Sequence, residues 1–181
     1  MKKLLFLLTI LFISAACMNN GNNNPVATSG NSQEGLEPGM KAPELEYASP
    51  NGEKIALSSL RGKMVLIDFW ASWCPPCRRE NPIVATAYRK FKNAEFKGGS
   101  GFTVYSVSFD RTKENWLEAI AKDGLSWPTH VSELKGWDAE AGYTYNINEI
   151  PSNFLIDGNG IILAQNLYGD SLQTTLSRLL K

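Results

Sequence analysis

The densest apolar run in the chain is Met64–Trp70, broken only by Asp68. A continuous run of this length, with Val65 and Ile67 β-branched, has the composition of a central strand buried on both faces. A stretch with helical spacing follows, in which Ile83, Val84, Ala87, Tyr88 and Phe91 recur between Pro82 and Phe96, and Gly98-Gly99-Ser100-Gly101 is expected to end it. Phe102–Phe109 alternates toward a second strand. Thr112 is placed to cap a helix running to about Lys122, with Trp116, Leu117, Ile120 and Ala121 as its apolar stripe. Leu125–Val131 predicts a third, short strand at an edge, where Pro128 is tolerated. Asp138–Tyr145 predicts a short helix. Ser152–Ile156 and Ile161–Asn166 predict a hairpin through Asp157-Gly158-Asn159-Gly160, and Gly169–Lys181 an amphipathic helix with Leu172, Leu176, Leu179 and Leu180 on one face. Upstream, Asn51-Gly52 between Glu44–Tyr47 and Lys54–Leu57 predicts a β-hairpin, and Ser58 or Ser59 a cap for a short helical turn. The alternation of strands and helices predicts an α/β domain with a mixed sheet flanked by helices.

Before Leu36 the pattern changes. Lys2 and Lys3 precede an apolar run from Leu4 to Ile13 and then small residues, the layout of a secretory signal over residues 1–16. That run is too short to span a bilayer as a helix. Ser14-Ala15-Ala16-Cys17 resembles a bacterial lipobox, although leucine is usual where Ser14 stands. It makes Cys17 a candidate for lipidation, which would anchor the chain to a membrane without spanning it. Residues 17–35 are rich in Asn, Gly and Ser and predict a flexible tether, leaving 36–181 as the folded domain. The 18 basic and 18 acidic side chains cancel, so nothing suggests a nucleic-acid partner. Three cysteines are too few for a disulfide scaffold.

The chemistry gathers at Cys74-Pro75-Pro76-Cys77, between the first long strand and the helix after it. Proline is tolerated in a first helical turn, because its missing N–H would have no partner there. The cysteines therefore belong at a helix N-terminus, where unpaired N–H groups and the helix dipole favour a thiolate. Four readings compete. In a redox dithiol, Cys74 attacks a disulfide and Cys77 resolves the mixed disulfide. Cys74, preceding the helix, is then the more exposed nucleophile. A zinc site needs two further ligands, and the chain offers only Cys17 and His130. Covalent haem attachment needs histidine after the second cysteine, where Arg78 stands. A structural disulfide closing so short a loop removes little chain entropy. The strand-then-helix context favours the redox dithiol. Asp68, on the strand below the cysteines, is a candidate to take the Cys77 proton, because a carboxylate inside a sheet tends toward a raised pKa. Arg78 and Arg79 are expected to be solvated.

Asp68-Phe69-Trp70-Ala71-Ser72-Trp73-Cys74-Pro75-Pro76-Cys77 resembles the thioredoxin active-site segment. Leu57–Lys63 is similar to the lead-in of the TlpA/ResA branch, membrane-tethered thiol–disulfide oxidoreductases facing away from the cytoplasm. Ile150-Pro151-Ser152-Asn153-Phe154 resembles the family's cis-proline loop. The resemblance implies a thioredoxin-like fold with an added N-terminal β-hairpin and a redox-active Cys74–Cys77 pair with no bound cofactor or metal. It implies that Pro151 faces the dithiol and leaves a substrate backbone room to pair with Ile150. Asp68 matches the buried aspartate of thioredoxin, and Glu80 a glutamate that influences the dithiol in ResA-type members. Trp73, Pro75 and Pro76 are expected to contact substrate. The implied partners are disulfide-containing protein substrates and a membrane thiol-reducing electron donor, at the periplasmic side; the implied direction is reduction, with cytochrome c precursors among the substrates. Two alternatives stay open. A Sco-type copper chaperone also uses two cysteines and a distant histidine, for which His130 is the candidate, though its cysteines are spaced one residue wider. A thiol peroxidase of the peroxiredoxin type needs threonine where Ala71 stands.

Overall fold

The computed structural model describes residues 33–181. The expected signal segment, the lipidation candidate Cys17 and most of the tether lie outside the described residues. Near the start of the described residues, Glu34 bridges Lys41.

Asn51-Gly52 closes a hairpin. Strand β1 (Glu46–Ala48) pairs antiparallel with β2 (Lys54–Ala56), Tyr47 opposite Ile55. Gly52 has φ +88°, a conformation that other residues rarely adopt. A 3-10 turn over Leu57–Leu60 follows without a serine cap; the Ser58 N–H instead donates to Glu44 Oε1 at 2.9 Å. Strand β3 (Met64–Trp70) is buried at every position, as its composition requires. Helix α1 (Pro75–Phe91) runs through Pro82 and ends before the glycines expected to stop it. The residues between become a small hairpin, β4 (Glu95–Phe96) with β5 (Gly99–Ser100). Its backbone crowds the start of β3, since a Cβ on Gly99 would lie 2.9 Å from the Gly62 carbonyl oxygen.

Strand β6 (Phe102–Ser108) is buried throughout, and helix α2 (Lys113–Asp123) follows it. The third core strand is only β7 (His130–Ser132). Leu125 cannot start it, because its N–H closes α2 by donating to the Ile120 carbonyl at 3.1 Å. A 3-10 turn over Gly136–Asp138 precedes helix α3 (Glu140–Thr144); the extended Ala139 between them divides what the sequence presents as one helix. Strands β8 (Ser152–Ile156) and β9 (Ile162–Gln165) form the last hairpin, and α4 (Asp170–Arg178) ends the fold.

The five core strands lie in the order β7-β6-β3-β8-β9. β3, β6 and β7 are parallel, while β8 and β9 run antiparallel, giving a mixed sheet. Helix α1 packs against both α2 and α4 on one face. The other face carries the N-terminal hairpin and α3: Tyr105 Oη donates to the Ile55 carbonyl at 2.8 Å, and Phe69 meets Tyr145 with ring centroids 5.3 Å apart. Because successive side chains on a strand point to opposite faces, Asp68 faces the α1 side, away from Phe69. The parallel strands β3 and β6 end together, Trp70 beside Ser108, and the crevice outside such strand ends is where α/β sheets place their chemistry.

Candidate active site

Four residues, Ala71 to Cys74, separate the end of β3 from helix α1. The loop is pinned by Asp110, just beyond β6. Asp110 Oδ2 accepts from the Ser72 N–H at 3.0 Å and from Ser108 Oγ at 2.6 Å, and Oδ1 accepts from Ser72 Oγ at 2.5 Å. Cys74 is therefore delivered to the helix N-cap, with extended backbone (φ −95°, ψ 102°) and Pro75 and Pro76 in the first turn. Its Sγ accepts from the Cys77 N–H at 3.2 Å. Cys74 and Cys77 are joined as a disulfide, their Cα atoms 5.3 Å apart. Both are buried, 3% and 1% exposed, so Cys74 is recessed rather than open. The cis-proline loop closes over it: the Ile150–Pro151 peptide bond is cis, and the Ile150 carbonyl oxygen lies 3.6 Å from Cys74 Sγ. Pro76, Glu80, Glu149, Pro151 and Tyr168 surround a pocket beside the pair.

Asp68 is buried beneath this arrangement, in register with Ser106 on one side and Asn153 on the other. Burial pushes its carboxyl up to about 7, and the Glu80 carboxylate adds to the rise. Glu80 is half-buried, one turn after Cys77, and its Oε2 accepts from the Gly169 N–H at 2.9 Å. Trp73 is half-exposed beside Cys74, its Nε1 donating to the Phe109 carbonyl at 3.3 Å.

Residues the sequence left unassigned complete the frame. Arg78 is not solvated. Its guanidinium forms a two-pronged pair with Asp123 at 2.5 and 2.7 Å and donates to the Ser72 carbonyl at 3.1 Å. Asn81 adds a third donor to Asp123 at 2.7 Å. Burial works against the Asp123 charge, but Arg78 and Asn81 outweigh it and hold the carboxyl below its ordinary value. Tyr168 Oη donates to the Pro151 carbonyl at 2.7 Å, so the loop before α4 grips the cis-proline loop. Only Asp110 had a readable signal, as an acid directly after a strand end.

His130 is not brought to the dithiol. It sits on the edge strand β7, its ring stacked on Trp127 with centroids 5.2 Å apart and its Nε2 3.1 Å from the Leu125 carbonyl oxygen. Burial pulls its pKa down to about 4 against the opposing pull of the Leu125 and Trp127 carbonyls. Among the described residues no group of three or more His, Cys, Asp or Glu side chains is arranged to hold a metal ion.

A dithiol at a helix N-terminus, faced by a cis-proline and underlain by a buried acid, on a mixed five-stranded sheet, defines a thioredoxin-like thiol–disulfide oxidoreductase. The chain belongs to the Redoxin family, which it matches over residues 37–179. It is 30% identical to the thiol-disulfide oxidoreductase ResA of Bacillus thuringiensis (strain Al Hakam) over 149 residues, 82% of this chain and 80% of that protein. The thioredoxin domain of a Bacteroides vulgatus thiol-disulfide oxidoreductase superposes with a TM-score of 0.72 at 34% identity, over 81% of this chain and all of that one. A thiol-disulfide oxidoreductase from Bacteroides fragilis gives 0.68 at 32%, over 78% of this chain and all of that one. These relatives bear out the TlpA/ResA resemblance and imply disulfide-containing protein substrates.

Proposed function

We propose that the protein is an exported reductase of disulfides in other exported proteins, cytochrome c precursors among them, held at the periplasmic side of a membrane by lipid on Cys17. The observation that supports the direction is electrostatic. Cys74 Sγ receives one backbone N–H, from Cys77, while the Glu80 carboxylate stands on the helix carrying the dithiol and interacts with Asp68 on β3. On that helix the Arg78 guanidinium is paired with Asp123, and the exposed Arg79 lines the pocket beside the dithiol. A strong oxidant owes its potential to a stabilised reduced form; negative charge near a thiolate works the other way and favours the disulfide.

In the proposed cycle the Cys74 thiolate attacks a substrate disulfide, forming a mixed disulfide and releasing the first substrate thiol. Cys77 gives its proton to Asp68 and attacks Cys74 Sγ. The second substrate thiol leaves, and Cys74–Cys77 is oxidised as the substrate gains two electrons. A carboxyl near 7 both accepts and returns a proton at neutral pH. Pro151, lacking an N–H, leaves the Ile150 backbone to the substrate, and Trp73, Pro75 and Pro76 supply apolar contact. A membrane thiol donor then restores the dithiol.

The test is the reduction potential of the protein, equilibrated against a defined thiol buffer. A value near or below about −270 mV is expected, and one near about −120 mV would reverse the direction. Cys74→Ser should abolish exchange and Cys77→Ser should trap mixed disulfides. Cys17→Ser should move the protein from membrane to soluble fractions.

A further inference from the structure

Four large aromatic side chains are exposed among the described residues, and three of them, Trp73, Trp137 and Tyr143, are 50%, 44% and 73% accessible. Trp73 adjoins Cys74 in the chain, Trp137 packs near Trp73, and Tyr143 shares a depression with Trp137. Trp73 and Trp137 have ring centroids 6.3 Å apart, and Trp137 and Tyr143 flank a depression floored by Gly142 and reaching Ile147 and Asn148. One end of this surface is Trp73, covalently next to Cys74. The other runs through Glu149 to Ile150, whose carbonyl oxygen touches Cys74 Sγ at 3.6 Å. Both ends thus converge on one recessed sulfur.

Two of the rings, Trp73 and Trp137, are held rather than loose. The buried Phe109 accepts the Trp73 Nε1–H on its carbonyl at 3.3 Å and meets the Trp137 ring edge-on at 5.2 Å. Gly142 lets α3 close on the same ring, since a Cβ there would lie 3.1 Å from Phe109 Cζ. Rigid aromatic side chains lose little conformational entropy on binding and serve as anchors at interfaces. Asp138, next to Trp137 in the chain, is paired with Arg111 at 2.8 Å.

We infer that this surface is a docking platform for extended, unfolded segments whose cysteine is flanked by aromatic side chains. The inference rests on the oxidoreductase reading and adds what the enzyme recognises around the disulfide. Continuity with the dithiol identifies the occupant: a sulfur that reaches Cys74 arrives on a chain lying against Trp73 and Ile150. Cys74 is only 3% exposed. Its partner cysteine must therefore project from a segment without folded bulk on either side, and the aromatic rings are what that segment meets.

The test uses two disulfide-linked peptide dimers, identical except for Phe or Ser on either side of the single cysteine. Reduced full-length protein is mixed with each in a single turnover, in which its dithiol becomes the Cys74–Cys77 disulfide and each dimer yields two peptide thiols. Thiol release is followed against peptide concentration. The half-saturating concentration should be about fivefold lower for the Phe dimer. In Trp137→Ala the two values should converge. Tyr143→Ser, at the most exposed of the three rings, should shift them the same way without disturbing the core. Equal values in the wild type, a preference surviving both variants, or a difference confined to the limiting rate would overturn the platform. Reduction of neither dimer would sink the oxidoreductase reading itself, and the platform with it.

Discussion

Glu80 Oε2 accepts a hydrogen bond of 2.9 Å from the Gly169 backbone N–H, so the loop entering α4 holds the carboxylate of the dithiol-bearing helix. Gly169 makes this bond from φ +54°, in the left-handed region that favours glycine. The same loop sends Tyr168 Oη to the Pro151 carbonyl. The two halves of the active site, helix α1 and the cis-proline loop, are thus tied to one short segment between β9 and α4.

Glu80→Gln keeps an acceptor for the Gly169 N–H and removes the charge. Burial is the larger cause of the raised Asp68 pKa and Glu80 the smaller. Carboxyl titration by NMR should therefore show Asp68 in the variant below its wild-type value yet still above 3.8, the ordinary value for the group. An unchanged Asp68 would mean the two carboxylates are not coupled.

Asp68 should also impress itself on stability. Its folded pKa is raised, so the folded chain keeps a proton that the unfolded chain loses. Stability contributed by the neutral form is present below the unfolded value of 3.8 and is lost as pH rises toward about 7. The shift corresponds to roughly 4 kcal/mol in full. Urea unfolding of the oxidised protein should show Asp68→Asn gaining on the wild type between pH 4 and pH 8, by up to about that amount. A difference that does not change with pH would mean the carboxyl is ionised in the fold throughout.

The first long strands, the dithiol at a helix start and the closing hairpin were legible because each is written locally. β3 is apolar but for Asp68, β6 alternates with β-branched residues, the two prolines mark a first turn, and Asp157-Gly158-Asn159-Gly160 marks a reversal. The supports of the site were not legible, because their partners are distant in sequence. Ser72 and Asp110 are 38 residues apart, Arg78 and Asp123 are 45 apart, and Glu80 and Gly169 are 89 apart. Nothing about Arg78 alone distinguishes a bound guanidinium from a solvated one. The third strand failed for a related reason: the apolar residues Leu125 and Trp127 are buried without belonging to a strand. One packs where α2 closes, and the other lies between Tyr88 and the His130 ring.

His130 works in the direction opposite to Asp68. Its folded pKa is depressed to about 4 from 6.5, chiefly by burial. The stability of the neutral ring is present above the unfolded value and is lost as pH falls through that window, by roughly 3 kcal/mol in full. His130→Gln should therefore gain on the wild type between pH 7 and pH 4, as measured by denaturant midpoints at constant m. If the variant tracks the wild type across that range, the histidine is protonated in the fold at a cost too small to see.

Asp110 is the residue whose loss should separate folding from chemistry least cleanly, and that is itself a prediction. Its carboxylate takes the Ser72 N–H, Ser72 Oγ and Ser108 Oγ, all from inside the crevice. In Asp110→Ala these donors lose their acceptor where water has little access. The cost should be about 2–3 kcal/mol by chemical denaturation. The loop from Ala71 to Trp73 also loses its tie to β6, so Cys74 is no longer pinned at the N-cap position where the Cys77 N–H reaches its sulfur. Single-turnover reduction of a small disulfide should slow along with the fall in stability. Asp110→Asn retains one acceptor for the Ser72 N–H and should recover part of both. A variant that loses stability but reduces the small disulfide at the wild-type rate would show that Ser72 does not position the nucleophile, and that the Asp110 network serves the fold alone.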